Sequence, residues 1–146
     1  LAPIELQQVL LTMERWPGVR RARRAVAFLD PRSESAGESV SRVRFHTDGL
    51  PIPELQQDII GPDGQFQARV DFLWRAQRTI GEFDGKTKYG RLLTPGQSIE
   101  DVIFAEKVRE DALRDLGWQV IRWLWADLYR RGVLADRVRR AFARAA

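Results

Sequence analysis

The stretch "ELQQDIIGPDGQFQARVDFLWRAQRTIGEFDGK" leaves this chain few ways to fold. It holds three segments rich in branched and aromatic residues, separated by "GPDG" and "RAQR", each four residues long. "GPDG" reads as a tight turn. "RAQR" has room only for a hairpin connection. A parallel crossover needs a dozen or more residues, so the three segments are expected to be consecutive strands of an antiparallel meander.

The flanks supply helices and one more strand. "PIELQQVLLTMERW" spaces Leu6, Val9, Leu10 and Met13 as a helix does, and Pro17-Gly18 stops it. "VRRARRAVAFLD" is expected to be a second helix, studded with Arg. "PRSESAG" is a polar linker, so residues 1–30 are expected to be a helical arm or linker from an upstream domain and residues 31–146 the main domain. "ESVSRVRFHTDG" predicts a short helix stopped by Gly49. After the meander, "YGRLLTPGQ" is a loop, and Ser98-Ile99-Glu100-Asp101 resembles a capping box that opens a long helix. The apolar seam of that helix is Val102, Ala105, Ala112, Leu113 and Leu116, with Arg109 inside it by spacing, and Gly117 ends it. "WQVIRWLW" predicts a fourth strand, and "ADLYRRGVLADRVRRAFARA" a single amphipathic helix. The resulting order, α(α)–α–βββ–α–β–α, implies an α/β (α+β) fold with a mixed four-stranded sheet flanked by helices.

Composition narrows the chemistry. The 146 residues suit one domain with a real core, and the 44% hydrophobic and 30% charged content is that of a soluble globular chain. No apolar run approaches the ~20 residues of a membrane span. The opening "LAPIELQQ" lacks the basic start and long apolar run of a signal peptide, so a cytoplasmic location is expected. It does not begin with Met, which suggests a trimmed chain or the C-terminal part of a longer one. There is no Cys and one His, so disulfides and thiolate metal sites are excluded and the ligands for a structural zinc are lacking. A metal would have to be held by carboxylate oxygens, which favours Mg²⁺ or Mn²⁺. Of the 24 basic residues only Lys86, Lys88 and Lys107 are Lys. The Arg residues gather in "RWPGVRRARR" and "YRRGVLADRVRRAFAR", which reads either as solvated helix faces or as a footprint for phosphate backbones.

One set of residues could carry a reaction. Asp71 stands in "ARVDFLW", where a carboxylate is costly to bury without compensation. The "RAQR" hairpin sets it near Glu82 on the next strand. If that strand stays extended, alternation puts Ile80, Glu82, Asp84 and Lys86 on one face. Two carboxylates and a Lys suit metal-dependent phosphodiester hydrolysis. There a cation withdraws charge from the phosphate and acidifies water, and the Lys orients that water or steadies the developing charge.

"VDFLW…TIGEFDGK" resembles the core of the PD-(D/E)xK nuclease superfamily, in the variant found in very-short-patch repair-like endonuclease domains. The "ESVSRVR" helix before the meander and "EKVREDALRDLGWQVIRWLWADL" after it match as well, so the likeness spans roughly residues 34–128. The chain is also similar to C-terminal domains of actinobacterial proteins whose N-terminal part is a winged-helix antitoxin-like module of abortive-infection systems. The resemblance implies a restriction-endonuclease-like fold and a Mg²⁺- or Mn²⁺-dependent endonuclease acting on DNA, in repair or phage defence. It implies Asp71 as the central metal ligand, Glu82 as the second, the Phe83 carbonyl as a backbone ligand and Glu38 as the acidic residue of the preceding helix. Where the superfamily expects Lys, two residues after Glu82, this chain has Asp84. Asp84 becomes a further ligand and Lys86 a displaced catalytic Lys. Arg109 and Lys107 match basic positions facing the site, and Lys88, Arg42 and Arg122 are candidates for DNA contact. A homodimer and an upstream winged-helix domain fit the same likeness. So does a second function, in which a catalytically inactive nuclease fold binds DNA or protein in an antitoxin-like regulator.

Plainer roles are open to the same residues. Glu38 completes an S-x-x-E capping box with Ser35. Asp84-Gly85 is a turn signal. Asp71 has Arg69 and Arg122 within reach as partners, Lys86 and Lys88 suit a solvated loop, and His46 suits a structural role. The Arg109 stem can lie along the seam, and Trp118, Trp123 and Trp125 suit the core.

Overall fold

A computed structural model describes residues 3–85 and 98–145. The chain divides into two units, Leu1–Glu34 and Ser35–Ala146.

The first unit is a helical hairpin of α1 (Pro3–Thr12) and α2 (Val19–Ala27). Val19, Ala22 and Val26 recur at helical spacing and are half-buried, while Arg20, Arg21, Arg23 and Arg24 are exposed. Arg23 Nη2 donates to the Leu10 carbonyl at 3.0 Å, tying the two helices.

The second unit opens with α3 (Ala36–Thr47). Ser35 caps it, accepting the Glu38 N–H through its hydroxyl at 3.1 Å. The meander follows as β1 (Glu54–Ile60), β2 (Phe66–Trp74) and β3 (Thr79–Phe83), then α4 (Ile99–Asp115) and β4 (Gln119–Trp123). The sheet order is β1-β2-β3-β4, antiparallel in the first two pairings and parallel between β3 and β4. A mixed four-stranded sheet flanked by helices is therefore what the segment spacing predicts and what the chain forms. Ser98 and Asp101 close a capping box at the start of α4, also as predicted.

Two expectations are corrected. The third strand ends at Phe83, so strand alternation does not extend to Asp84. The last amphipathic helix is two helices, α5 (Trp125–Tyr129) and α6 (Val133–Ala145), separated by Gly132 at φ 77°. That backbone region suits glycine and ends a helix.

Helices cover both faces. On one face Phe45 of α3, Leu128 of α5 and Leu134 and Val138 of α6 pack against Phe72, Trp74, Phe83 and Trp123. Phe45 meets Phe72, Trp74 and Trp123 edge-on, with ring centroids 5.0–5.6 Å apart; each such pair adds about 0.5–1.5 kcal/mol beyond burial. On the other face Leu113 of α4 packs against Ile59, Val70, Leu73 and Ile80. The α4 seam centres on Leu113 and the half-buried Leu116, while Ala105 is exposed. Close approach on the first face needs a glycine: a Cβ on Gly37 would lie 1.9 Å from the Phe83 ring. That contact sets α3, and with it Glu38, down onto the end of β3.

Candidate functional site

The site begins with a fault in the sheet. Val70 and Phe72, two residues apart on β2, should share a face, yet Val70 belongs to the Leu113 cluster and Phe72 to the Phe45 cluster. On β1, Leu55 and Ile59 are split in the same way. The pairing Leu55↔Phe72 and Gln57↔Val70 places Gln56 opposite Asp71, so both strands change faces at this one cross-strand pair. The cause is local. Gln56 has φ 52°, in the left-handed region, which costs a residue with a Cβ about 1–2 kcal/mol.

At the break the side chains of Gln56 and Asp71 reach α3 and the end of β3. Asp71 Oδ2 accepts the Phe83 N–H at 2.9 Å. Gln56 Nε2 donates to Glu38 Oε2 at 3.0 Å and reaches Asp71 Oδ1 at 3.4 Å. Arg69 Nε donates to Gln56 Oε1 at 3.2 Å. Glu38 is 7% exposed, and Ser35 Oγ donates to its Oε1 at 2.7 Å. The capping role and the site role of Glu38 therefore coexist. Each buried acceptor is met by a donor, as burial of a carboxylate requires.

Glu82 lies in a different neighbourhood. It faces α4 beside Arg122, its parallel partner on β4. Arg109 Nη2 donates to both Glu82 oxygens at 2.8 and 2.9 Å, and Arg122 Nη2 lies 2.9 Å from Oε2. Glu106 joins both guanidiniums: Arg109 Nη2 lies 2.6 Å from its Oε1, and Arg122 also donates to that oxygen. Arg122 Nε lies 3.3 Å from Glu110 Oε2 without the alignment of a hydrogen bond. Burial alone would push the Glu106 carboxyl up. The hydrogen bonds from Arg109 and Arg122 outweigh it and hold the group at about 2. Burial likewise acts to lower Arg109 and Arg122, but the carboxylates around them outweigh it and raise both.

The sequence-predicted residues are thus distributed over two clusters. Glu38 and Asp71 are brought together by Gln56; Glu82, Arg109 and Arg122 are brought together by Glu106. Asp84 follows β3 directly, its N–H donating to the Trp123 carbonyl at 2.9 Å. Arg42 is half-buried on α3, and Lys107 is exposed beside a groove lined by Glu106, Glu110, Asp111, Arg114 and Arg122. Lys86 and Lys88 lie outside the described residues. No set of three or more His, Asp or Glu side chains is grouped as metal ligands among the described residues. Two residues escaped the sequence reading. Gln56 looks like an ordinary polar strand position, and its only trace is the Gln56-Gln57 doublet. Glu106 is legible as an acid one helical turn before Arg109.

The oxygen donors suit a hard cation. A hydrogen-bond donor already stands between Glu38 and Asp71, where the field of two carboxylates draws positive charge.

Two Mycobacterium tuberculosis proteins, MT2308 of strain CDC 1551 / Oshkosh and Rv2248 of strain ATCC 25618 / H37Rv, are each 36% identical to this chain over 129 residues. Both are named as uncharacterized. The match takes in 88% of this chain and 44% of each relative, so the chain spans less than half their length. No family model and no solved structure matches.

Proposed function

We propose that the second unit is a restriction-endonuclease-like domain that hydrolyses DNA phosphodiester bonds with Mg²⁺ or Mn²⁺. What carries this reading is Asp71, set by the change of faces against both Glu38 and the end of β3. Asp71 and Glu38, with Asp84, are the residues that would hold the cation, and Glu82 would join them only by giving up its contacts with Arg109 and Arg122. Bound Mg²⁺ supplies positive charge against the scissile phosphate and acidifies the attacking water. Arg109, which now donates to Glu82 and Glu106, is the cation that would steady developing negative charge, and exposed Arg residues grip the phosphate backbone. The test is supercoiled plasmid with Mg²⁺. Nicking by the wild type that disappears in Asp71→Ala upholds the proposal; an inactive wild type, or an active Asp71→Ala, ends it.

One observation favours a second function. Both Glu82 oxygens are held by guanidiniums, and Asp84 stands where the superfamily has Lys. A nuclease fold kept for DNA or protein binding, as part of an antitoxin-like regulator, would need neither. Salt-dependent DNA binding without cleavage is the result that selects it.

A further inference from the structure

We infer that the arginine face of α2 docks on the phosphate backbone of duplex DNA. The inference rests on the reading above only in taking DNA as the partner; it needs no cation and no cleavage.

Between Arg15 and Leu29 the chain carries five Arg and no acidic residue. On α2, Arg20, Arg21 and Arg24 fall within an arc of about 100°, opposite the half-buried Val19, Ala22 and Val26. Arg23, beside that arc, is tied to α1 through the Leu10 carbonyl. The guanidiniums of Arg20, Arg21 and Arg24 are exposed and have no partner among the described residues. Helix faces that merely meet water are built differently in this chain. On α4, Arg114 pairs with Glu110, and on α6, Arg139 pairs with Asp136, each one turn away. On α2 the neighbours at that spacing are Arg20 and Arg23, Arg20 and Arg24, and Arg21 and Arg24, all like-charged and mutually destabilising. Arg20 and Arg21 also stand in the first turn, where the helix dipole disfavours cations, and neither an acidic residue nor a side-chain cap offsets them there. The helix keeps a charge that its own stability opposes, and a bound polyanion relieves both conflicts. Guanidiniums favour phosphate because their planar fork bonds it bidentately. A lipid surface would need the apolar side of the helix as well, and that side is taken up in the hairpin with α1.

The experiment measures binding of the full chain to a fluorescently labelled duplex of mixed sequence by anisotropy, in EDTA, over a range of salt concentrations. Wild type is compared with a triple variant carrying Arg20→Gln, Arg21→Gln and Arg24→Gln. A control triple of equal charge carries Arg32→Gln, Arg75→Gln and Arg114→Gln, whose cations are already paired with Asp30, Glu54 and Glu110. Gln keeps the helix propensity of Arg. The α2 triple should lower the slope of log affinity against log salt by about 2–3 and weaken binding about tenfold or more at low salt, while the control keeps the wild-type slope. Its far-ultraviolet circular dichroism and Tm should match or exceed the wild type, because a repulsion has gone. Should the α2 triple lose helix, the single variants Arg20→Gln and Arg24→Gln decide, each expected to lower the slope by about 1. A wild-type slope in the α2 variants, or an equal loss in the control, overturns the inference while DNA binding stands. Binding to vesicles of anionic phospholipid without binding to the duplex overturns it as well. A chain that nicks plasmid in Mg²⁺ yet shows no duplex binding in EDTA ends this inference alone. Duplex binding that depends on the α2 arginines in a chain that never nicks upholds the inference and ends the nuclease reading.

Discussion

Asp71 and Phe83 are joined by a 2.9 Å hydrogen bond in which the carboxylate accepts the backbone N–H. The β2–β3 register runs from Trp74↔Thr79 to Phe72↔Gly81 and goes no further. The Asp71 side chain thus continues, past the last backbone pair, the work of the ladder. Asp71→Ala should lose about 2 kcal/mol, the cost of stripping a charged acceptor from a half-buried amide. Hydrogen exchange at the Phe83 amide should speed up in that variant, and Asp71→Asn, which keeps an acceptor, should restore most of the protection.

Glu82 answers to a different test. Its carboxylate is 13% exposed and compensates Arg109 and Arg122, which are 27% and 28% exposed. Glu82→Ala removes one of the two carboxylates that Arg109 and Arg122 share, leaving Glu106, and should cost about 2 kcal/mol, below the full penalty for a buried pair because Glu106 and water still reach them. The surface pair Glu54–Arg75, at 2.9 Å, gives the contrast. Glu54→Ala should change stability by about 0.5 kcal/mol or less. Urea midpoints of the two variants should separate clearly.

Glu106 predicts a pH dependence. In the folded chain its carboxyl is held at about 2, below the usual 4.5. A depressed acid stabilises fully above its unfolded value and loses that contribution as pH falls through the folded one. Glu106→Gln should therefore be less stable than wild type at neutral pH. The gap should close from about pH 4.5 down to about pH 2. A gap that persists unchanged at about pH 2 would show that Glu106 acts through shape rather than charge.

Gly37→Ala should be among the most damaging single changes outside the large core residues. Its Cβ would fall 1.9, 2.3 and 2.4 Å from three atoms of the Phe83 ring, which is itself buried against Trp125. Relief means lifting α3 from the sheet, at a cost of about 3 kcal/mol. A Tm drop together with weaker coupling between Glu38 and Gln56 is expected. A fall in Tm with that coupling intact would mean that the ring gave way instead of the helix.

Much of the scaffold is legible in the residues because its signals are local. Two four-residue connections dictate antiparallel neighbours, Ser35 and Ser98 open helices at the expected places, and Gly117 closes one. The split at Gly132 was missed because the amphipathic pattern of the Arg-rich tail runs through it. The pairing of Arg109 with Glu82 follows from a register and a helix phase that were both readable, although the Arg109 side chain proved to be an ion-pair partner and not a seam residue. The expectation that Glu82 and Asp71 share a face rested on alternation along β2, which breaks between Val70 and Phe72.

By itself, then, the order of turns, caps and apolar segments determined a mixed sheet covered by helices, strand spacing nominated Asp71 and Glu82, and the superfamily resemblance added Glu38 and Arg109. Only the tertiary structure decided their company. Alternation is a property of neighbours in the chain, whereas the left-handed turn at Gln56 is sustained by contacts from α3 and β2 that lie 15 and more residues away. Those contacts reverse the faces of two strands at once, sending Asp71 to Glu38 and Phe83 and leaving Glu82 to the guanidiniums of Arg109 and Arg122.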